Sequence, residues 1–317
     1  MPRIIPAFLT IFALTGSAFA ADYSPVKNYT SQDGRVTFIG GIGYSWIKAN
    51  EIVYDEGDRI SHLIWDARTP IIATELGFRP TERLTIEARF KAGIFATSRM
   101  DDYDWTGPYL ESYAFEDWTF HSFHESTDLE RYINGDIAFG HDTKINNTAT
   151  LNLNGGVKYL NIKFNAHAGA YTYSVGGFRN LSGPPNYAEK VISYEQRVPG
   201  VFVGARWTGE FDKALVSARA RLGSSIGAKD VDNHFSRSIL FIADFDKTPF
   251  VEVGANVQYS VSDRTTLYIG ADYEKYFEMK GNILMKKLET GEATLHANAE
   301  GATFRSVTLT FGLKSKF

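Results

Sequence analysis

Apolar and polar residues alternate one by one along several stretches of this chain. The alternation is clearest at the C-terminus, where apolar residues occupy every second position from Val307 to Leu313 and the chain ends in Phe317. Successive side chains of a β-strand point to opposite faces, so this stretch predicts a strand with one apolar and one polar face. The chain is therefore predicted to be all-β, because the same period recurs in the stretches 84–96, 214–222 and 267–272.

Ten strands of this kind are predicted. They lie near 35–49, 59–80, 84–98, 126–140, 148–176, 189–208, 214–229, 236–260, 265–281 and 301–317. Beyond residue 20, no uninterrupted apolar run reaches the length of about 20 residues that a membrane-spanning helix needs. A strand that is apolar at alternate positions can cross a bilayer instead, and bacterial barrels have an even number of strands. The pattern therefore predicts a ten-stranded antiparallel transmembrane β-barrel, whose closure leaves no exposed sheet edge.

The connections between these strands fall into two alternating sets. Short ones are predicted at 81–83, 141–147, 209–213 and 261–264, and long ones at 50–58, 99–125, 177–188, 230–235 and 282–300. Membrane barrels have short turns in the periplasm and long loops outside the cell. The second set is therefore expected to form long extracellular loops. Several strands exceed the roughly 9–11 residues that cross a bilayer, so part of the barrel should stand clear of the membrane.

The N-terminus has the features of an export signal. Arg3 precedes an apolar run from Ile4 to Leu14, and Ala18-Phe19-Ala20 is a small-x-small cleavage site. The run is too short to span a hydrocarbon core about 30 Å thick. Residues 1–20 are therefore predicted to be a signal peptide, and residues 21–317 a single barrel domain.

Composition excludes several classes of function. Cleavage of the signal removes only the positive charge of Arg3, so the formal net charge moves from −4 to −5, which argues against a nucleic-acid partner. The chain has no cysteine, which excludes thiol nucleophiles, disulfide frameworks and cysteine-based zinc sites. An aromatic content of 14% suits a barrel with aromatic girdles at the membrane interfaces.

Two acidic clusters in the predicted outer loops are the candidates for chemistry. Asp102 and Asp104 belong to one, and Asp230, Asp232 and His234 belong to the other. In an extended backbone, residues two apart project from the same face. Solvated loop residues or a calcium site would explain these clusters as well. The second cluster lacks the glycine and terminal glutamate of a helix-loop-helix calcium motif, however, and contains a histidine where calcium prefers oxygen.

The two clusters together resemble the omptin family of Gram-negative outer-membrane proteases. Asp102-x-Asp104-Trp105, followed by Asp230-x-Asp232-x-His234, is similar to the family's pattern, and so is the ten-strand plan. The resemblance extends nearly from end to end of the mature chain. Further matching segments are Ser61-x-Leu63-x-Trp65, Gly177-Phe178-Arg179 and Tyr194-x-Gln196-Arg197.

This resemblance implies a monomeric cell-surface endopeptidase that cuts polypeptides next to basic residues, without a metal or other cofactor. It implies that Asp232 and His234 activate water, the imidazole taking the proton and the carboxylate orienting the ring. Asp102 and Asp104 are expected to hold that water from the other side. The family's acidic pocket for the basic side chain corresponds to Glu51 and Asp230, since carboxylates suit Arg or Lys.

The resemblance also implies lipopolysaccharide as a lipid activator, bound by basic residues on the outside of the barrel. Arg197 matches one such position. The family's Tyr-x-Glu-x-Arg stretch is not reproduced at 157–161, but Lys158 and Lys163 lie close by and are predicted to bind the lipid together with Arg197.

Two other functions remain open at this point. One is a catalytically inactive barrel that acts as an adhesin. The other is a narrow pore, although ten strands enclose less space than the 16–18 strands of porins. Inward-facing charges of both signs are expected to pair in the lumen and fill it; they include Glu87, Arg89, Lys91, Arg219 and Arg221.

Overall fold

The computed structural model describes residue 31 and residues 35–262 and 265–315, so the predicted signal peptide lies outside the described residues. Within these residues, two short 3₁₀ turns, Phe115–Asp117 and Phe235–Arg237, occur in a backbone that is mostly strand. Among the described residues no helix is long and apolar enough to cross a membrane. The described part of the chain contains fifteen strands: β1 (Val36–Asp55), β2 (Asp58–Phe78), β3 (Leu84–Gly93), β4 (Thr97–Asp104), β5 (Phe120–Lys144), β6 (Ala149–Ala168), β7 (Ala170–Tyr173), β8 (Leu181–Gly183), β9 (Asn186–Phe211), β10 (Ala214–Ser225), β11 (Lys229–His234), β12 (Ile239–Phe245), β13 (Pro249–Ser262), β14 (Thr265–Lys287) and β15 (Ala293–Ser315).

These strands form one antiparallel sheet that closes into a ring. Some of these strands continue one another and form longer arms of the barrel. Three arms are each interrupted once, as β3 with β4, β10 with β11, and β12 with β13. The short β7 extends the arm that contains β6, and β8, which pairs antiparallel with β7, extends the arm that contains β9. Ten arms result in the described part of the chain. The last of them, β15, pairs with β1 from Gly40 opposite Leu313 to Val53 opposite Glu300, which closes the ring. The predicted ten-stranded antiparallel barrel is confirmed.

A belt of exposed apolar side chains surrounds the lower half of the barrel. On β15, Val307, Leu309 and Phe311 face outward, while Thr308 and Thr310 between them are buried in the lumen. Every arm contributes to the belt, as expected for a surface that lipid covers. One member from each arm is Ile42, Ile72, Phe90, Phe139, Leu153, Val203, Leu222, Val257, Ile269 and Phe311.

Inside this belt a layer of paired charges fills the lumen. Glu252 accepts hydrogen bonds from Arg89 at 2.8 Å, from Arg219 at 3.0 Å and from Lys158 at 3.0 Å. Buried charges are tolerated only when they are paired and hydrogen-bonded. The predicted pairing of inward charges is confirmed by these contacts and by the ion pairs Arg206–Glu87, Lys91–Asp272 and Arg221–Asp136.

One sequence-based assignment is wrong in this region. Lys158 was expected on the outside of the barrel, but its side chain is buried in the lumen, where Glu252 and Glu274 bind it. Its neighbours Val157 and Tyr159 are the outward-facing residues. The period of two on β6 therefore excludes Lys158 from an exterior lipid site.

Aromatic side chains fill the lumen above the charges. Trp65 stacks between Phe164 and Tyr194, with ring centroids 5.2 Å and 5.5 Å away. Below the charges, a polar cavity of about 750 Å³ lies at the end of the barrel that carries the short turns. The aromatic and charged layers disfavour a passive pore, because they occupy the cross-section that a solute would have to cross.

The expected long outer loops are mostly strand. β4 continues to Asp104, and β11 covers nearly all of the predicted loop 230–235. The β1–β2 connection shrinks to a tight turn at Glu56 and Gly57, both with positive φ, which suits a two-residue hairpin. Above the lipid belt the outer face no longer needs to be apolar, so the alternation that marks strands fades while their hydrogen-bond ladders continue.

Candidate active site

The second acidic cluster lies on β11 with its three side chains on one face. Asp230, Asp232 and His234 occupy alternate positions and are 1%, 1% and 7% exposed. β11 pairs with β9 on one side and β12 on the other, which holds the backbone extended. His234 Nε2 makes a short hydrogen bond with Asp232 Oδ2, and the imidazole lies edge-on against Phe241 at 5.3 Å. The expected shared face is confirmed, and the two groups of the predicted dyad are in contact.

The first cluster projects from β4, on the opposite side of the ring. β4 lies between β2 and β5, with Asp102 opposite Leu63 and Ser122 in the two ladders. Burial raises the pKa of Asp102, and the negative charge of Asp104 raises it further. Burial also raises the pKa of Asp104, although a hydrogen bond from Ser61 lowers it in part. Two carboxyls this close resist ionising together, so the pair favours a state that holds one proton.

Electrostatic effects connect the two clusters across the lumen. The negative charge of Asp232 contributes to the raised pKa of Asp102. His234, by contrast, lowers the pKa of Asp104. Both clusters lie above the lipid belt, at the end of the barrel opposite the short turns. The four residues that were predicted to act on one water molecule therefore line one groove.

Arg237, which the sequence did not single out, lies between the clusters. It belongs to the exposed 3₁₀ turn that follows β11, and its Nη2 donates a hydrogen bond to His234 Nδ1. Its positive charge lowers the pKa of both Asp102 and Asp104, against the effect of burial. Because a guanidinium can only donate, Nδ1 is the accepting nitrogen and Nε2 carries the proton toward Asp232. Both imidazole nitrogens are engaged in this arrangement.

Glu51 and Asp230, predicted to form an acidic pocket, do lie close together. Burial raises the pKa of Glu51, and the charges of Asp232, Glu300 and Asp230 act in the same direction. Burial and the charge of Asp232 raise the pKa of Asp230 to about 8. Tyr194 donates a hydrogen bond to Asp230 Oδ2 at 3.1 Å. Glu300, which sequence reasoning missed, is buried beside them.

Basic residues also cluster on the outer surface, immediately above the lipid belt. Arg197 pairs with Glu195 at 2.6 Å, and Arg131 reaches the same carboxylate at 2.9 Å. Lys163, opposite Arg131 in the ladder, pairs with Glu130 at 2.8 Å. Arg197 and Lys163 therefore occupy the outer face as expected. Arg131 joins them because a bulge between Leu129 and Arg131 shifts the alternation of β5, which a strict period of two does not reveal.

Comparisons with known proteins agree with this architecture. Residues 33–317 match the model of the Omptin family. A plasminogen activator of Yersinia pestis is 25% identical, with 99% of this chain and 98% of the relative covered. Protease 7 of Escherichia coli strain K12 is 23% identical, with 85% of this chain and 86% of the relative covered.

A solved structure has the same fold. The crystal structure of the outer membrane protease OmpT from Escherichia coli superposes with a TM-score of 0.83 at 20% identity, covering 92% of this chain and 100% of that chain. The family match extends over almost the whole chain and includes both acidic clusters. This protein therefore belongs to the Omptin family of outer-membrane proteases.

Proposed function

We propose that this outer-membrane protease is an aspartic-type endopeptidase that cleaves polypeptides next to basic residues, using water activated by Asp232 and His234. The observation that carries the proposal is the contact between these two side chains in a buried groove that Asp102 and Asp104 line from the other side. A base, the carboxylate that orients it and a second acidic pair are the groups that water-mediated hydrolysis of an amide requires.

The proposed steps follow from the hydrogen bonds that these groups can donate and accept. His234 takes a proton from the attacking water, and Asp232 stabilises the imidazolium until the ring returns the proton to the leaving amine. A pair such as Asp102 and Asp104 that holds one proton can accept a hydrogen bond from the water and donate one to the substrate carbonyl. The Arg237 side chain must first move away from His234 Nδ1, because a general base needs a free lone pair. Arg237 lies on an exposed turn, which gives its side chain room to move.

The proposed pocket for the basic side chain gives a direct test. Glu51→Gln or Asp230→Asn is expected to reduce kcat/KM on an Arg-Arg fluorogenic peptide by about 10- to 150-fold. The reason is that a hydrogen bond to a charged group contributes about 1.5–3 kcal/mol. The measurement is peptide turnover by the refolded barrel.

Glu292→Gln is the matched control for this pocket, because Glu292 pairs with Lys287 on an exposed outer turn. Its kinetics should equal those of the unsubstituted barrel. Unchanged cleavage by both pocket variants would contradict the pocket assignment. A wild-type barrel that cleaves no peptide at all would instead favour an inactive adhesin.

The exterior basic cluster supports lipopolysaccharide as the activating lipid. Arg131, Lys163 and Arg197 lie at the upper edge of the lipid belt, where the phosphates of an outer-leaflet lipid would meet them. Glu130 and Glu195 share the cluster and offset part of its positive charge. Guanidinium groups nevertheless bind phosphate bidentately, which suits this surface to a phosphorylated headgroup.

Substitution of this cluster should change the lipid requirement. We expect Arg131→Gln with Arg197→Gln to raise the lipopolysaccharide concentration for half-maximal activation about tenfold, since a charged hydrogen bond contributes at least about 1.5 kcal/mol. The assay titrates the lipid against peptide turnover in detergent. Arg305→Gln, on the outer face of β15, is the control. Equal activation curves for all three proteins would contradict this assignment.

A further inference from the structure

Glu300 is a fully buried carboxylate of the groove. Its side chain is 0% exposed. Among the residues that the structure describes, neither of its carboxylate oxygens has a hydrogen-bond partner, and Oε2 of Glu51 also has none. A buried ionised carboxylate without a partner is costly, so such a group either holds a proton or meets a cation. These oxygens therefore mark a position suited to a positively charged ligand.

The strand register places Glu300 in the proposed basic-residue pocket. Ala302 lies opposite Glu51 in the β1–β15 ladder, and Glu300 is the next inward residue toward the outer end of the barrel. Diagonal neighbours on paired strands are roughly 7–8 Å apart. Ala302 places only a small apolar side chain beside the two carboxylates. Phe304, the following inward residue, lies edge-on against Tyr276 at 6.2 Å and forms an apolar floor.

Glu300 also interacts electrostatically with Asp230 and Asp232, which lie on another wall of the same pocket. Burial raises its pKa, and the negative charges of Asp230 and Asp232 raise it further. Asp230 projects from β11, whereas Glu51 and Glu300 project from β1 and β15. The carboxylates therefore approach one volume from more than one side, and a bound cation would relieve their mutual repulsion.

We propose that Glu300 is a third carboxylate of the pocket and makes the protease prefer arginine to lysine at the cleaved bond. The inference rests on the proposed function of Glu51 and Asp230. A guanidinium presents five N–H donors in a planar fork, so it can bridge carboxylates on different walls. An ammonium is a compact, strongly hydrated charge with three donors, and it satisfies fewer of the dispersed oxygens. Removal of Glu300 should therefore affect arginine more than lysine.

The test compares two fluorogenic peptides that differ only by Arg or Lys before the cleaved bond. The wild-type barrel is expected to have the higher kcat/KM for Arg. Glu300→Gln should lower kcat/KM for the Arg peptide by about tenfold or more, the effect of losing a charged hydrogen bond. The Lys peptide should lose less, so the Arg/Lys ratio falls, with most of the change in KM.

Glu278→Gln is the matched control, because Glu278 accepts a hydrogen bond from Tyr54 and is partly exposed rather than enclosed. It should keep the wild-type ratio. If Glu300→Gln does not refold, Glu300→Ala provides the same comparison with a side chain like that of Ala302. Equal losses on both peptides, an unchanged ratio, or a wild-type barrel without a preference for Arg would each overturn the inference. Failure of the proposed function is distinct: the wild type would then cleave neither peptide.

Discussion

Replacement of His234 by alanine is expected to lower kcat/KM on an Arg-Arg peptide by about 10²–10⁴, the usual contribution of a positioned general base. Asp232→Asn should cause a loss of similar order, because the amide cannot stabilise the imidazolium. The two groups act as a unit, so the double variant should be little worse than either single one. Peptide turnover by the refolded proteins measures all three effects.

Correct assembly of these variants must be shown separately. The barrel should retain heat-modifiable gel mobility, because the lumen below the groove is held by the aromatic and charged layers rather than by His234. His296→Ala is the matched control, since His296 is an exposed histidine at the same end of the barrel. Full turnover by a folded His234→Ala barrel would reject the mechanism. Inactivation of the wild type by a serine-directed reagent would indicate another class of hydrolase.

The membrane-embedded half of the fold could be predicted well from the sequence. Lipid imposes an apolar outer face, so Val307, Leu309 and Phe311 alternate visibly with inward polar residues. The same rule fails where the barrel stands clear of the bilayer. Asp102 and Asp232 were assigned to loops because neither face of β4 or β11 is consistently apolar, although both strands are fully paired.

The candidate site was predictable to the extent that it depends on spacing along one strand. Asp232 and His234 are two residues apart, so their shared face follows from an extended backbone alone. Glu300 and Arg237 were not predictable in this way. Glu300 approaches Asp230 across the lumen from a strand three arms away, and Arg237 reaches His234 through a 3₁₀ turn. Neither contact leaves a periodic signal in the sequence.

The opposing carboxylate pair combines a functional role with a cost in stability. Burial raises the pKa of Asp102 above its ordinary value, so the folded barrel holds a proton that the unfolded chain releases. The contribution of this proton to stability is complete below the unfolded-state pKa. It is lost progressively as the pH rises from that value through the raised folded-state pKa. A side chain that cannot ionise would avoid this loss.

Asp102→Asn is therefore expected to impair catalysis and stabilise the barrel at the same time. Peptide turnover should fall by about 10²–10⁴, because the asparagine can neither share the proton nor hold the attacking water as a carboxylate does. The temperature at which heat-modifiable gel mobility is lost should be higher than that of the wild type at pH 8, with the difference shrinking as the pH falls toward 4. Asp101→Asn is the matched control, since Asp101 lies on the other face of β4 and binds His121 at 3.1 Å. It should keep the turnover of the wild type. An Asp102→Asn barrel that is active, or that is no more stable than the wild type at pH 8, would contradict a buried carboxyl pair that holds a proton opposite His234.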